Sequence, residues 1–144
     1  MRILTLLLLF LAPNSIGYAQ SCVIPGGISF DTSTQRCAII GSVPPGLRVI
    51  AIKPIAKLAD GNFEQSLVFE LAGGFSPPRM VLAMKGDNIL HMRAMALSGQ
   101  GFGTTAGNKN GLYFTIFQDP LPGEYGVTAI TKDAAPATFM SELH

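Results

Sequence analysis

Between Leu47 and Thr131 apolar residues recur at every second position in run after run, and a sustained 3.6-residue helical spacing is absent. A chain patterned this way buries its apolar side by stacking sheets. Phe63 to Leu71 is the cleanest case. Phe63, Leu67, Phe69 and Leu71 share one face with Gln65, while Glu64, Ser66 and Glu70 take the other, as in an antiparallel strand wetted on one side. Leu47 to Lys53, Leu112 to Gln118 and Tyr125 to Thr131 read as further strands, and Pro54 confines the continuation of the first to an edge or bulge. Arg79 to Leu97 reads as a hairpin around Gly86-Asp87-Asn88. A three-residue loop sets Met84 against Leu90, Leu82 against Met92 and Met80 against Ala94, which gives one apolar face with Lys85, His91 and Arg93 on the other. Ile28 to Phe30 and Ala38 to Ile40 flank polar turn-formers as an N-terminal hairpin within 22–40. Residues 98–111, rich in Gly and Asn, read as a long loop, and 134–144 as a C-terminal tail. Strand candidates separated by frequent turn signals predict an all-β chain, an antiparallel β-sandwich of about seven strands.

Gly111-Leu112-Tyr113-Phe114 followed by Leu121-Pro122-Gly123-Glu124-Tyr125-Gly126-Val127 resembles the closing hairpin of prealbumin-like and other immunoglobulin-like domains of bacterial exported proteins. The resemblance covers about twenty residues. It implies an immunoglobulin-like sandwich in which Pro-Gly makes the turn and the Tyr packs at the corner, and it implies nothing about function.

Met1-Arg2, the uncharged run Ile3 to Ala12, and Gly17-Tyr18-Ala19 have the three-part layout of a signal peptide over 1–19, leaving a sandwich domain over 20–133. The apolar run is half the length of a spanning helix, so no membrane span is expected. Export favours a disulfide between Cys22 and Cys37, the two cysteines of the chain. A bridge closing a loop of this size contributes roughly 3 kcal/mol in the chain-entropy model. The expected location is periplasmic or secreted.

Removing Arg2 leaves nine basic against nine acidic side chains. That balance excludes a nucleic-acid partner, whose footprint is a strongly basic domain. Met80, Met84, Met92 and Met95 surround His91, and thioether with imidazole suits copper, especially Cu(I). On a strand, however, His91 and Met95 sit about 13 Å apart, and Met commonly fills gaps in a core. Only on a helix over 89–97 would those two share an ion. Hydrolytic signals are sparse. His91 is the one histidine inside the expected domain, and no G-x-S-x-G nucleophile motif occurs. Gly99-Gln100-Gly101-Phe102-Gly103 lacks the third glycine of a dinucleotide fingerprint, because position 104 is Thr104. The reading from sequence is therefore a non-enzymatic binding or accessory module without a cofactor. It would engage another exported or cell-surface protein through edge strands and the 98–111 loop, with Phe102 as the anchor. A copper-binding protein is the alternative, and a small hydrolase centred on His91 ranks last.

Overall fold

The computed structural model describes residues 36–97 and 103–144, with the backbone alone described for 103–109. Ten strands and no helix occur among them: β1 (Ile39–Ile40), β2 (Leu47–Ile52), β3 (Ala56–Lys57), β4 (Phe63–Leu71), β5 (Arg79–Lys85), β6 (Ile89–Ala96), β7 (Gly103–Lys109), β8 (Leu112–Gln118), β9 (Gly123–Thr131) and β10 (Thr138–Leu143). They form two sheets, one ordered β1-β10-β5-β8-β7 and the other β2-β4-β9-β6, with β3 beside β4. Every pairing is antiparallel except β1 with β10. Among the described residues no helix is long and apolar enough to cross a membrane.

Strand β4 organises the second sheet. It pairs with β9 along its whole length, from Phe63 opposite Thr131 to Leu71 opposite Gly123. Its alternation sends Gln65, Leu67, Phe69 and Leu71 inward, all buried, and Glu64, Ser66 and Glu70 outward. From β9, Tyr125, Val127 and Ala129 meet them on the same side, and Met80, Leu82, Phe117 and Phe139 of the first sheet complete one apolar cluster between the sheets. Burying a side chain the size of Phe69 contributes roughly 1.5–3 kcal/mol. Phe117 of β8 meets Tyr125 of β9 edge to face, ring centroids 5.0 Å apart. The Tyr125 hydroxyl donates back to the Leu121 carbonyl, and burial pushes its phenol pKa up.

Several expectations are corrected here. Arg79 to Leu97 is not a hairpin: β5 lies between β10 and β8 in one sheet, while β6 pairs with β9 in the other. Inward-facing Met80, Leu82 and Met84 satisfy the same apolar pattern whether their neighbour pairs with them or faces them across the core. Leu90 escapes the expected face because the register with β9 shifts between Ile89 and His91. It is 48% exposed, whereas Ile89 and Met92 are buried. Leu112–Gln118 and Gly123–Thr131 likewise belong to different sheets, so the segment between them is a crossing and not a closing hairpin. Part of the expected 98–111 loop is strand β7, held to β8 from Gly103 opposite Phe117 to Lys109 opposite Leu112. The expected tail at 134–144 contains β10, inserted between β1 and β5. The count is therefore ten strands instead of about seven. Of the N-terminal hairpin 22–40, residues 22–35 lie outside the described residues. The described piece, Ile39–Ile40, pairs in parallel with Thr138 and Phe139. Cys37 is buried and disulfide-bonded, and its expected partner Cys22 lies outside the described residues.

The segment feeding β10 is pinned by buried polar groups. The Gln65 side chain donates to Thr131 Oγ1 at 3.1 Å and to the Ala135 carbonyl at 2.9 Å, and its oxygen accepts the Ala137 N–H at 2.8 Å. Asn88 donates to Asp133 Oδ1 at 2.7 Å and to the Ala135 carbonyl at 2.8 Å. The N–H of Ala135 and then the Asn88 amide hold the Asp133 carboxyl below its ordinary pKa. A group depressed in the folded state adds stability above its unfolded pKa, about 3.9 for Asp, and that stability is lost as pH falls through the folded value. Asp133→Asn is thus expected to flatten the loss of stability below about pH 4, read as the urea midpoint between pH 6 and pH 3. An unchanged acid slope would refute this role.

Ser141 is the exception among these polar groups. It faces inward opposite Leu82, and its Oγ is buried with no hydrogen-bond partner. A buried unsatisfied hydroxyl costs about 1–3 kcal/mol. Ser141→Ala is expected to raise stability by about 1 kcal/mol in urea unfolding, and a lowered midpoint would show that the hydroxyl is satisfied.

Candidate active site

The first sheet carries apolar side chains on both faces. Its inward face joins the core. On its outward face, cross-strand register sets Met140, Ala83 and Phe114 in one row and Glu142, Val81 and Ile116 in the next. A groove of about 560 Å³ lies over these rows, with Gly41 and Ser42 at the β1 edge and Arg79 and His144 at the far end. Gly41 is held by its N–H to the Phe139 carbonyl at 2.9 Å. A Cβ there would stand 3.4 Å from Met140 Cγ.

The polar end of the groove is built by β10 running out past β5. Glu142 and His144 are two residues apart, so extended backbone puts them on one face. The N–H of His144 bonds to the Arg79 carbonyl at 2.9 Å, which extends the ladder one residue beyond the strand. Its ring Nε2 sits 2.8 Å from Glu142 Oε1, with both side chains open to solvent. An imidazole oriented by a carboxylate, at the mouth of an apolar trough with a guanidinium beside it, can take up and return a proton next to a bound acyl group.

The residues singled out from sequence lie elsewhere. Met80, Met84 and Met92 are buried in the core, and Thr115 Oγ1 lies 3.9 Å from Met92 Sδ. His91 and Met95 point the other way, out of β6 into solvent, on a strand and not a helix. The five potential copper ligands are thus split between the core and the outer face and do not converge. Among the described residues no group of three or more His, Cys, Asp or Glu side chains could hold a metal ion. Phe102 lies outside the described residues. The sequence signal for the groove was available nonetheless: Met80-Val81-Leu82-Ala83-Met84 and Leu112-Tyr113-Phe114 are continuous apolar runs. A strand wetted on one side alternates; these have two apolar faces.

Comparison with known proteins revises the expected function. No family model matches the chain, and no solved structure matches it. Among curated proteins it is similar to "Lysosomal thioesterase PPT2-B" of Xenopus laevis, 26% identical over 138 residues, which is 95% of this chain and 48% of that protein. The chain therefore spans about half the length of the curated relative it matches. The relative's description is that of an enzyme, and this overturns the expectation of a non-enzymatic binding module. That relative is described as lysosomal, a lumenal location coarsely compatible with export and not with the periplasm. His144 falls in the segment that reads as a tail, so His91 is the one histidine the sequence offers for hydrolysis.

Proposed function

We propose that this chain is a lumenal or secreted hydrolase of acyl thioesters, with the outward groove of the first sheet as its acyl site. The observation that carries the reading is the similarity, over 95% of the chain, to a thioesterase. The groove supports it, because an acyl thioester presents a long apolar chain and one electrophilic carbonyl, matching an apolar trough with a polar end. In this reading Val81, Phe114, Ile116 and Met140 hold the acyl chain. His144, oriented by Glu142, takes a proton from water as it adds to the carbonyl carbon, and the Arg79 guanidinium faces the negative charge that develops on oxygen. The C–S bond then breaks, and the leaving thiolate recovers the proton from His144. A water nucleophile suits a chain that lacks the G-x-S-x-G elbow. For the fold, the crossing from β8 to β9 with its Tyr125-to-Leu121 bond supports a variant of the immunoglobulin-like sandwich, in which such corner tyrosines recur.

The test is hydrolysis of palmitoyl and octanoyl thioesters by the purified protein, followed by thiol release. Turnover above the buffer rate that saturates with substrate supports the reading. A rate equal to that of a heat-denatured sample overturns it.

A further inference from the structure

The outer face of the second sheet carries an arrangement that thioester hydrolysis does not use. Arg93 of β6 is opposite Thr128 of β9, and Thr128 is opposite Ser66 of β4. The N–H of Lys53, just past β2, bonds to the Ser66 carbonyl at 3.0 Å. Opposed residues share a face, so these four form one row across the sheet, cation–hydroxyl–hydroxyl–cation. Neighbouring strands are about 4.8 Å apart, so the row spans about 14 Å, and all four residues line one groove.

Ser66 Oγ and Thr128 Oγ1 are 3.3 Å apart. One hydrogen bond between two hydroxyls leaves one hydroxyl hydrogen to donate elsewhere. Among the described residues neither Arg93 nor Lys53 is in an ion pair, whereas Arg48 on the same sheet is bound to Glu70. The carboxylate on the adjoining row is Glu64, opposite Ile130, about 7 Å along the strand. His91 lies opposite Ile130 on that row too.

On the other side of the cationic row the surface turns apolar. Gly126 lies between Val68 and Met95 in the ladder. A Cβ on Gly126 would stand 3.1 Å from Leu97 Cδ2, so the glycine leaves a floor over which Leu97 leans. Met95 and Leu97 are 46% and 49% exposed. Together these residues line a groove of about 180 Å³.

We propose that this row is a binding site for a small carboxylate with a linear apolar tail, the chemical class of a medium-chain fatty acid. Arg93 and Lys53 hold the carboxylate over the Ser66–Thr128 pair, and the tail lies against Met95 and against Leu97 where it covers Gly126. A planar carboxylate matches the guanidinium fork of Arg93. The apolar floor selects against compact inorganic anions.

The experiment titrates the full chain with sodium octanoate, octanol and inorganic phosphate, following backbone amide shifts. Octanoate is expected to move the amides of Ser66, Gly126 and Thr128. Arg93→Gln and Lys53→Gln are each expected to weaken it at least tenfold, and Gly126→Val to abolish it by displacing Leu97 from its seat on the glycine. Both charge changes are at exposed positions, so the amide spectrum of each variant is expected to retain the wild-type dispersion. Phosphate or octanol binding here as tightly as octanoate would overturn the proposal, because one half of the ligand would then be irrelevant. So would octanoate shifts confined to Val81, Phe114 and Met140, shifts that persist unchanged in both charge variants, or no shifts at all. Binding is read without turnover, so a failure here is distinct from a failure of thioester hydrolysis.

Discussion

His144→Ala is expected to lower acyl-thioester turnover by about 100-fold or more, the range that a positioned general base supplies. The side chain is 44% exposed and lies outside the core, so the melting temperature is expected to stay within about 2 °C, as for an ordinary surface substitution. Glu142→Gln keeps a hydrogen-bonding group beside the ring and removes its charge. It is expected to cost about tenfold in kcat with KM little changed, since the acyl chain is held by other residues. Matched Michaelis curves on an octanoyl thioester separate the cases. Undiminished turnover by the alanine variant would remove His144 from the chemistry. A rise in KM with kcat intact would make it a substrate contact only.

The second large effect is expected at Gln65. Replacing it by Leu keeps the volume and removes both ends of its amide. The Ala137 N–H loses its acceptor, and Thr131 Oγ1 and the Ala135 carbonyl each lose a donor. The Ala135 carbonyl keeps its bond from Asn88, so the main orphan is one buried backbone N–H. At about 1 kcal/mol for each bond and about 1–3 kcal/mol for the orphan, the loss is expected to cost about 4–6 kcal/mol in urea unfolding. Because residues 132–137 lead into β10, the same variant is expected to lose thioester turnover below its unfolding midpoint. A Leu variant as stable as the parent would show that the loop is held by Asn88 alone.

Local pattern and pairing were unequally legible in the sequence. Phe63 to Leu71 can be read to the residue, faces included, because alternation beside its own neighbours fixes which side is buried. Which strand lies beside which is not local information. Met80, Leu82 and Met84 face Met92 across the core with the same apolar side that a hairpin would give them, so the two arrangements share one pattern. β10 is hidden for a different reason. Its inward positions are Phe139, Ser141 and Leu143, and the serine in the middle interrupts the apolar alternation that would have marked a strand. β7 has no such alternation at all in Gly103-Thr104-Thr105-Ala106-Gly107, and its place comes from main-chain pairing with β8. The catalytic candidates fell with β10: once that strand is taken for a tail, Glu142 and His144 have no fixed position.

The place of β10 also shapes how the chain reaches this state. It enters between β1 and β5, both of which come earlier in the sequence. Until Thr138 to Leu143 arrive, β5 presents the open main-chain edge that invites pairing with a second molecule. A β10 from another copy offers the same hydrogen bonds and the same Phe139 to the core, so crowded chains have strand exchange as a ready wrong turn. The Gln65 and Asn88 side chains, by gripping the approach to β10, favour closure within one molecule over exchange between two.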